Sequence, residues 1–384
     1  MWDLLIENVR VIDPAQSLDR MADVAVLGSR IAAVGDSLPG EARLTVKGQG
    51  LILTPGLADI HSHTAGKDFA HLSLPPDECG VWRGVTLVGD AGTAGAANAD
   101  ELLERTRLAR TPVRHFINVF PHGIAILPEQ WVDDLDFGAL AEAIDRHRPR
   151  VAGVKLRLMS GFAVRYGVAG LEAVKKFSAD MGLPLMLHLG TDWEDELPSC
   201  WESFCEAVPR LVERGDILSH IYTAKPGALI TPDRRHYAAL RAAVERGVVL
   251  DAAVALTHFS FATARQGMAD GFMPDCVSTD LTLNNCRRGV LDLPAVMSRF
   301  LALGMRLNDV VACATTAPYA ALGVACPTIA EGEEADLTLL EDRRGPVILG
   351  DGAESMKAER RLIPYAAIRQ GEFCTASAGE DIPA

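Results

Sequence analysis

From Gly56 onward the chain repeats one pattern eight times: a short apolar run, then a connecting stretch. The runs read GLADIHSH, VTLVGDAG, RHFINVF, GVKLRL, PLMLHLG, DILSHIY, VVLDAAV and CVSTDL. Between them lie amphipathic segments such as ADELLERTRLAR, LDFGALAEAIDRH, GLEAVKKFSADMG and YAALRAAVERG. Near-continuous apolar strands are buried on both faces, which happens when helices cover a parallel sheet. Eight such units predict an α/β fold, a (β/α)8 TIM-like barrel over residues 55–325. The flanks read differently. LLIENVRVID, ADVAVLGSRIAAVG and LTVKGQGLILTPG alternate apolar and polar residues between Gly and Pro breaks, and the same texture returns in GEEADLTLLED and LIPYAAIRQGEF. The two chain ends therefore predict a small composite β-sandwich domain over 1–54 and 326–375, with 376–384 a loose polar tail.

In a barrel of this kind the chemistry sits at the C-terminal ends of the strands. Run one ends in His61 and His63, which at i and i+2 share one face of a strand. Run four carries Lys155, run five ends in His188, run six carries His220, and run eight ends in Asp280. Each has a bland reading: a hydrogen-bonded core histidine, a lysine that snorkels to water. Their joint occurrence on one rim predicts a metal centre, because neutral imidazole suits divalent transition ions. Arg157, two residues after Lys155, shares its side of run four and suits a substrate carboxylate, with an ion-pair support role as the alternative. Tyr222, two residues after His220, is a candidate donor to a substrate carbonyl, and Asn284 in TLNN a third substrate-binding candidate. His71, His115, His122, His147, His236 and His258 are read as structural.

The 384 residues carry a formal charge of −14, which argues against a nucleic-acid partner. An anionic small-molecule substrate is still compatible, provided an arginine or a metal holds it against the long-range repulsion. Eight cysteines show no CxxC pair and read as scattered thiols of a reducing cytoplasm. Asp3 and Glu7 interrupt any signal-peptide core, and no stretch approaches the roughly 20 apolar residues of a membrane helix. The expectation is a cytoplasmic homo-oligomer with no membrane partner.

On TPGLADIHSH, DAGTAGAAN, GVKLR, LHLG, LSHIYTAKPG and PDCVSTDL, with IENVRVID ahead of them, the chain resembles the amidohydrolase superfamily of metal-dependent hydrolases. It is most similar to the dihydroorotase-like amidohydrolase/deacetylase branch. The resemblance implies two divalent ions, Zn2+ by default: His61, His63 and Asp280 on the more buried one, His188 and His220 on the other. It further implies that Lys155 is carboxylated to a carbamate bridging both. The implied reaction is hydrolysis of an amide or ester (N- or O-acyl) bond of a small carboxylic acid by a metal-bridging hydroxide. Asp280 would then be the catalytic proton shuttle. The chain departs from the branch at Val254, where a Gly-His-Gly-like stretch is usual, at Thr282, where a histidine is usual, and in TTAPYAALG. These departures touch the substrate pocket and none removes a ligand. A cyclic amidohydrolase or lactonase opening a ring is the alternative; a non-catalytic barrel scaffold is disfavoured because all six ligand positions are filled.

Overall fold

Alternation of β-branched and apolar residues with turn formers produces fifteen strands in the computed structural model, which describes residues 1–125, 135–191, 196–287, 289–290 and 292–377. They are β1 (Trp2–Asp13), β2 (Leu18–Leu27), β3 (Arg30–Gly35), β4 (Ala42–Lys47), β5 (Leu51–Pro55), β6 (Leu57–Ser62), β7 (Val85–Gly95) and β8 (Val113–Asn118). There follow β9 (Val151–Arg157), β10 (Leu185–His188), β11 (Ile217–Ser219), β12 (Val249–Asp251), β13 (Leu337–Gly350), β14 (Ser355–Arg369) and β15 (Glu372–Thr375).

Strands β6 to β12 form one curled parallel sheet in chain order. Seven of the eight expected runs are thus its strands. The eighth run bridges to both edges in parallel, Cys276 to Asp251 of β12 and Leu281 to Ser62 of β6. Backbone bonds from Ala252 N to Cys276 O (3.0 Å) and from His63 N to Leu281 O (3.1 Å) accompany those bridges. The helices between strands bury the face their spacing dictates. Trp201–Leu211 turns Trp201, Phe204, Cys205 and Val208 inward, at i, i+3, i+4 and i+7. Truncating Phe204 to alanine there should cost about 3–5 kcal/mol of stability. Asp136 caps Phe137–Arg146 by accepting from Ala139 N at 2.9 Å, which fixes where LDFGALAEAIDRH becomes helical.

The chain ends meet in a second sheet of order β15-β14-β13-β5-β1-β2-β3, with β4 paired to β1. Both chain ends contribute strands to this one sheet. Ile6, Val11, Val24, Leu53, Leu339 and Ile368 form one core on this sheet. Ile12, Ile52, Leu340, Leu349 and Leu362, however, pack into the same cluster as the helices that cover the parallel sheet. Leu362 N also donates to Ser298 Oγ on helix Leu293–Ala302 at 2.9 Å. The reason is that strands buried on both faces serve two cores at once. Of the expected tail, Ala376 and Ser377 are tied by backbone bonds to Tyr365 and Trp82, and 378–384 lie outside the described residues.

Candidate metal centre

The C-terminal ends of the parallel strands bring His61, His63, Lys155, His188 and Asp280 around one cavity of about 290 Å³. Its wall also includes Arg157, Asn284 and His258. His63 Nε2 and His61 Nε2 lie 3.2 and 3.6 Å from Asp280 Oδ1, and His220 Nε2 lies 4.0 Å from Asp280 Oδ2. The ligand atoms of His61, His63 and Asp280 all fall within 4.8 Å of one another. Lys155 Nζ approaches His61 Nε2 at 3.3 Å. The His188 and His220 rings stand 4.2 Å apart between centroids.

Behind these groups, a second tier fixes which nitrogen of each ring faces the cavity. His220 Nδ1 donates to the Ala253 carbonyl at 2.8 Å, so its Nε2 carries the lone pair. His63 Nδ1 meets Thr93 Oγ1 at 2.9 Å, and His61 Nδ1 meets Ser219 Oγ at 3.3 Å and Asp251 Oδ2 at 3.5 Å. Asp251 itself accepts from Ser219 and Ser278. Asp59 accepts from Thr279 Oγ1 and from the His61 amide, tying β6 to the eighth run directly below Asp280. Asp90 accepts from the Thr64 and Thr93 amides. His220 and Asp280 hold φ of +62° and +49°. Such left-handed backbone is uncommon for residues other than glycine and persists where surrounding bonds enforce it, as at functional sites.

Burial sets the protonation states. It pushes His61, His188 and His220 well below the ordinary imidazole range, so all three are neutral. It also brings the Lys155 amine down to about 7, against the opposing pull of Asp280 and Asp251. For Asp280 burial alone would raise the carboxyl, but the hydrogen bond from His63 holds it below the usual carboxylate range. Burial raises Asp59 to about 7 and Asp251 to about 6, with hydroxyl and amide donors opposing.

These residues fit a divalent metal. Among the described residues His188 Nε2 and His220 Nε2 are buried with no hydrogen-bond partner, a costly state unless a cation or donor takes up their lone pairs. Neutral imidazoles and an ionised carboxylate form a donor set for transition ions.

Of the expected substrate residues, Arg157 and Asn284 line the cavity and Tyr222 does not. Tyr222 is fully buried, donates its hydroxyl to the Phe272 carbonyl at 2.8 Å, and packs against Phe259 and Phe300. β11 ends at Ser219, so beyond it the chain is no longer extended and spacing of two no longer means one face. His258, read as structural, instead lines the cavity, its ring 4.6 Å from His188 and 4.7 Å from His220. The Thr257-His258 pair interrupting the apolar text after the seventh run was the available signal. Asp59, Asp90 and Asp251 were also missed, though an acid inside an apolar run marks each.

The chain is similar to known proteins over most of its length. The model of the amidohydrolase family matches residues 52–368. A deacetylase of Brucella anthropi is 28% identical over 97% of this chain and 93% of its own length. A crystal structure of a dihydroorotase superposes with a TM-score of 0.87 at 25% identity, covering 98% of each chain. One of an adenine deaminase gives 0.85 at 26% identity, covering 98% of this chain and 100% of that one.

Proposed function

The chain belongs to the amidohydrolase family, and from that premise we propose that it hydrolyses an amide or ester (N- or O-acyl) bond of a small, anionic carboxylic acid. It is a metal-dependent hydrolase acting on C–N bonds. The observation that carries this is the convergence of His61, His63 and Asp280, with two unpartnered imidazole nitrogens beside them, in a cavity sized for a small molecule. His61, His63 and Asp280 would hold one ion and His188 and His220 a second, with Lys155 as a carbamate between them. Bound there, such ions, zinc by default, supply a Lewis acid for the scissile carbonyl and a water acidified toward neutrality.

The chain's own groups do the rest. Burial keeps the Lys155 amine uncharged for an appreciable fraction of time near neutral pH, which lets it combine with CO2. Asp280, held ionised, accepts the proton of the attacking water and returns it to the leaving nitrogen or oxygen. Arg157 on the cavity wall grips the substrate carboxylate, and Asn284 lines the same space. A closed eight-stranded barrel, with a β-sandwich over 1–54 and 326–375, completes the architecture; the bridges of the eighth run to both edge strands support closure.

Ring opening is the second reading, favoured by the dihydroorotase likeness over the whole chain. Among the described residues no helix is long and apolar enough to cross a membrane, and the eight cysteines are unpaired. A cytoplasmic homo-oligomer remains our proposal. The test is metal analysis followed by a substrate panel of acylated amino and hydroxy acids, lactams and lactones. Two ions per chain, activity lost on chelation and regained with zinc, and turnover of acyl substrates are expected. A metal-free preparation with full activity overturns the mechanism.

A further inference from the structure

The metal cavity shares a wall with a larger space. That second cavity, about 590 Å³, lies between the tip of the β13–β14 hairpin and helix Leu293–Ala302. Val347, Ile348, Leu349, Ala295 and Leu256 give it one apolar side, Arg299, Glu354, Ser355 and Arg361 a polar one, and Leu256 lines the metal cavity as well. Leu256 therefore stands as the partition between them. Its outer side is bordered by glycines: a Cβ on Gly289 would lie 4.0 Å from Leu256 Cδ1, and one on Gly352 would lie 2.9 Å from its carbonyl oxygen. Gly352 has φ +94°, so the hairpin tip closes on Leu256 in a backbone form that favours glycine.

The outer wall is braced. Asp351 accepts from the Phe261 amide at 2.7 Å and from the Ala353 and Glu354 amides of its own turn. Arg299 spends its donors on the carbonyls of Gly350, Ala295 and Gly289. The half-buried Leu256 side chain lies between this fixed wall and the metal cavity. Arg157 stands at the end of β9, whereas Leu256 follows β12, three strands further along the sheet. Arg157 and Leu256 both line the metal cavity, so a substrate held at Arg157 has Leu256 within the same space.

We propose that the outer cavity is the subsite for an apolar acyl chain, with Leu256 the partition that sets how long a chain is accepted. This rests on the acyl-hydrolase reading with Arg157 at the substrate carboxylate. Each methylene that enters such a space is worth about fourfold in affinity. The probes are butyrate and octanoate, as acyl products, titrated calorimetrically into zinc-loaded protein, alongside N-acetyl- and N-octanoyl-amino acids as substrates. Leu256→Ala should raise the octanoate-to-butyrate affinity ratio about tenfold. Ile348→Trp, at a position 62% exposed and so safe for folding, should lower it about tenfold by filling the outer space. The octanoyl-to-acetyl ratio of kcat/KM should move the same way. Affinity ratios that neither variant moves overturn the subsite, whatever the turnover. Ratios that move while no acyl substrate is cleaved overturn the acyl-hydrolase reading and leave the subsite standing.

Discussion

Gly92 on β7 offers a perturbation that reaches the centre through the Lys155 stem, with Asn118 Nδ2 a looser neighbour at 3.3 Å. Its φ is +86°, and a Cβ placed there would lie 2.7 Å from Lys155 Cγ and 2.8 Å from Lys155 Cβ. Ordinary contact begins near 3.4 Å, so in Gly92→Ala the Lys155 stem must retreat by about 0.7 Å, the difference between 3.4 and 2.7 Å. The strained backbone costs about 1–2 kcal/mol and the overpacking about 1–3 kcal/mol, so the variant should lose roughly 2–5 kcal/mol of stability. A bridging group misplaced by nearly 1 Å should also lower kcat/KM by about 10–100-fold and weaken metal retention. Gly304→Ala separates the two effects. Gly304 has φ +100° with nothing within 4 Å of its would-be Cβ, so it carries the backbone strain and leaves Lys155 alone. Denaturation midpoints, metal content by elemental analysis and kcat/KM on the best acyl substrate would be measured for both. Both variants should melt earlier, and only Gly92→Ala should shed metal and rate. A Gly92→Ala protein with two ions and wild-type kcat/KM would refute the placement of Lys155 between them.

What the sequence made legible was whatever obeys a local period. His61 and His63 sit at the end of a strand, where alternation holds, and both reach the cavity. Lys155 and Arg157 do the same on β9. His220 and Asp280 were found as strand-end residues, but their left-handed backbone was not visible, since it depends on bonds such as His220 Nδ1 to Ala253 O. Tyr222 was misplaced because the period had already ended at Ser219. His258 lies seven residues beyond β12 in a turn with no period, and reaches the cavity because its segment folds back over the rim. Asp59 and Asp251 pair with hydroxyls far along the chain, Thr279 and Ser278, so only tertiary structure joins them. The same limit applies to Ile12, Ile52, Leu340 and Leu362, whose strand character was plain although their second core was not.

Asp280→Asn should keep the fold and lower kcat by at least about 10²–10⁴, since the amide cannot accept the proton; unchanged kcat rules out the shuttle. Lys155→Ala should lose metal and activity, with partial recovery in a short carboxylic acid that fills the vacated bridge; two ions retained at full activity would contradict the carbamate. Arg157→Met should cost about 2–3 kcal/mol in kcat/KM on carboxylate substrates and spare neutral esters; equal loss on both makes Arg157 a structural support. The last concerns His115, fully buried on β8, whose Nε2 meets Thr106 Oγ1 at 3.1 Å. Burial depresses its imidazole to about 4 from an ordinary 6.5. Above pH 6.5 it is neutral folded or unfolded and adds no pH dependence; between 6.5 and 4 the unfolded chain binds the proton more tightly, so stability falls as pH falls. At about 1.4 kcal/mol per unit, this group alone should remove about 2 kcal/mol by pH 5. His115→Leu abolishes the titration, and Thr106 Oγ1 keeps the Leu102 and Leu103 carbonyls as partners. Denaturant unfolding near neutral pH and at about pH 5 should therefore show a pH-linked loss smaller by about 2 kcal/mol in the variant, other titrating groups cancelling in the comparison. Equal losses in both proteins would mean that the buried imidazole does not set the acid sensitivity of this fold.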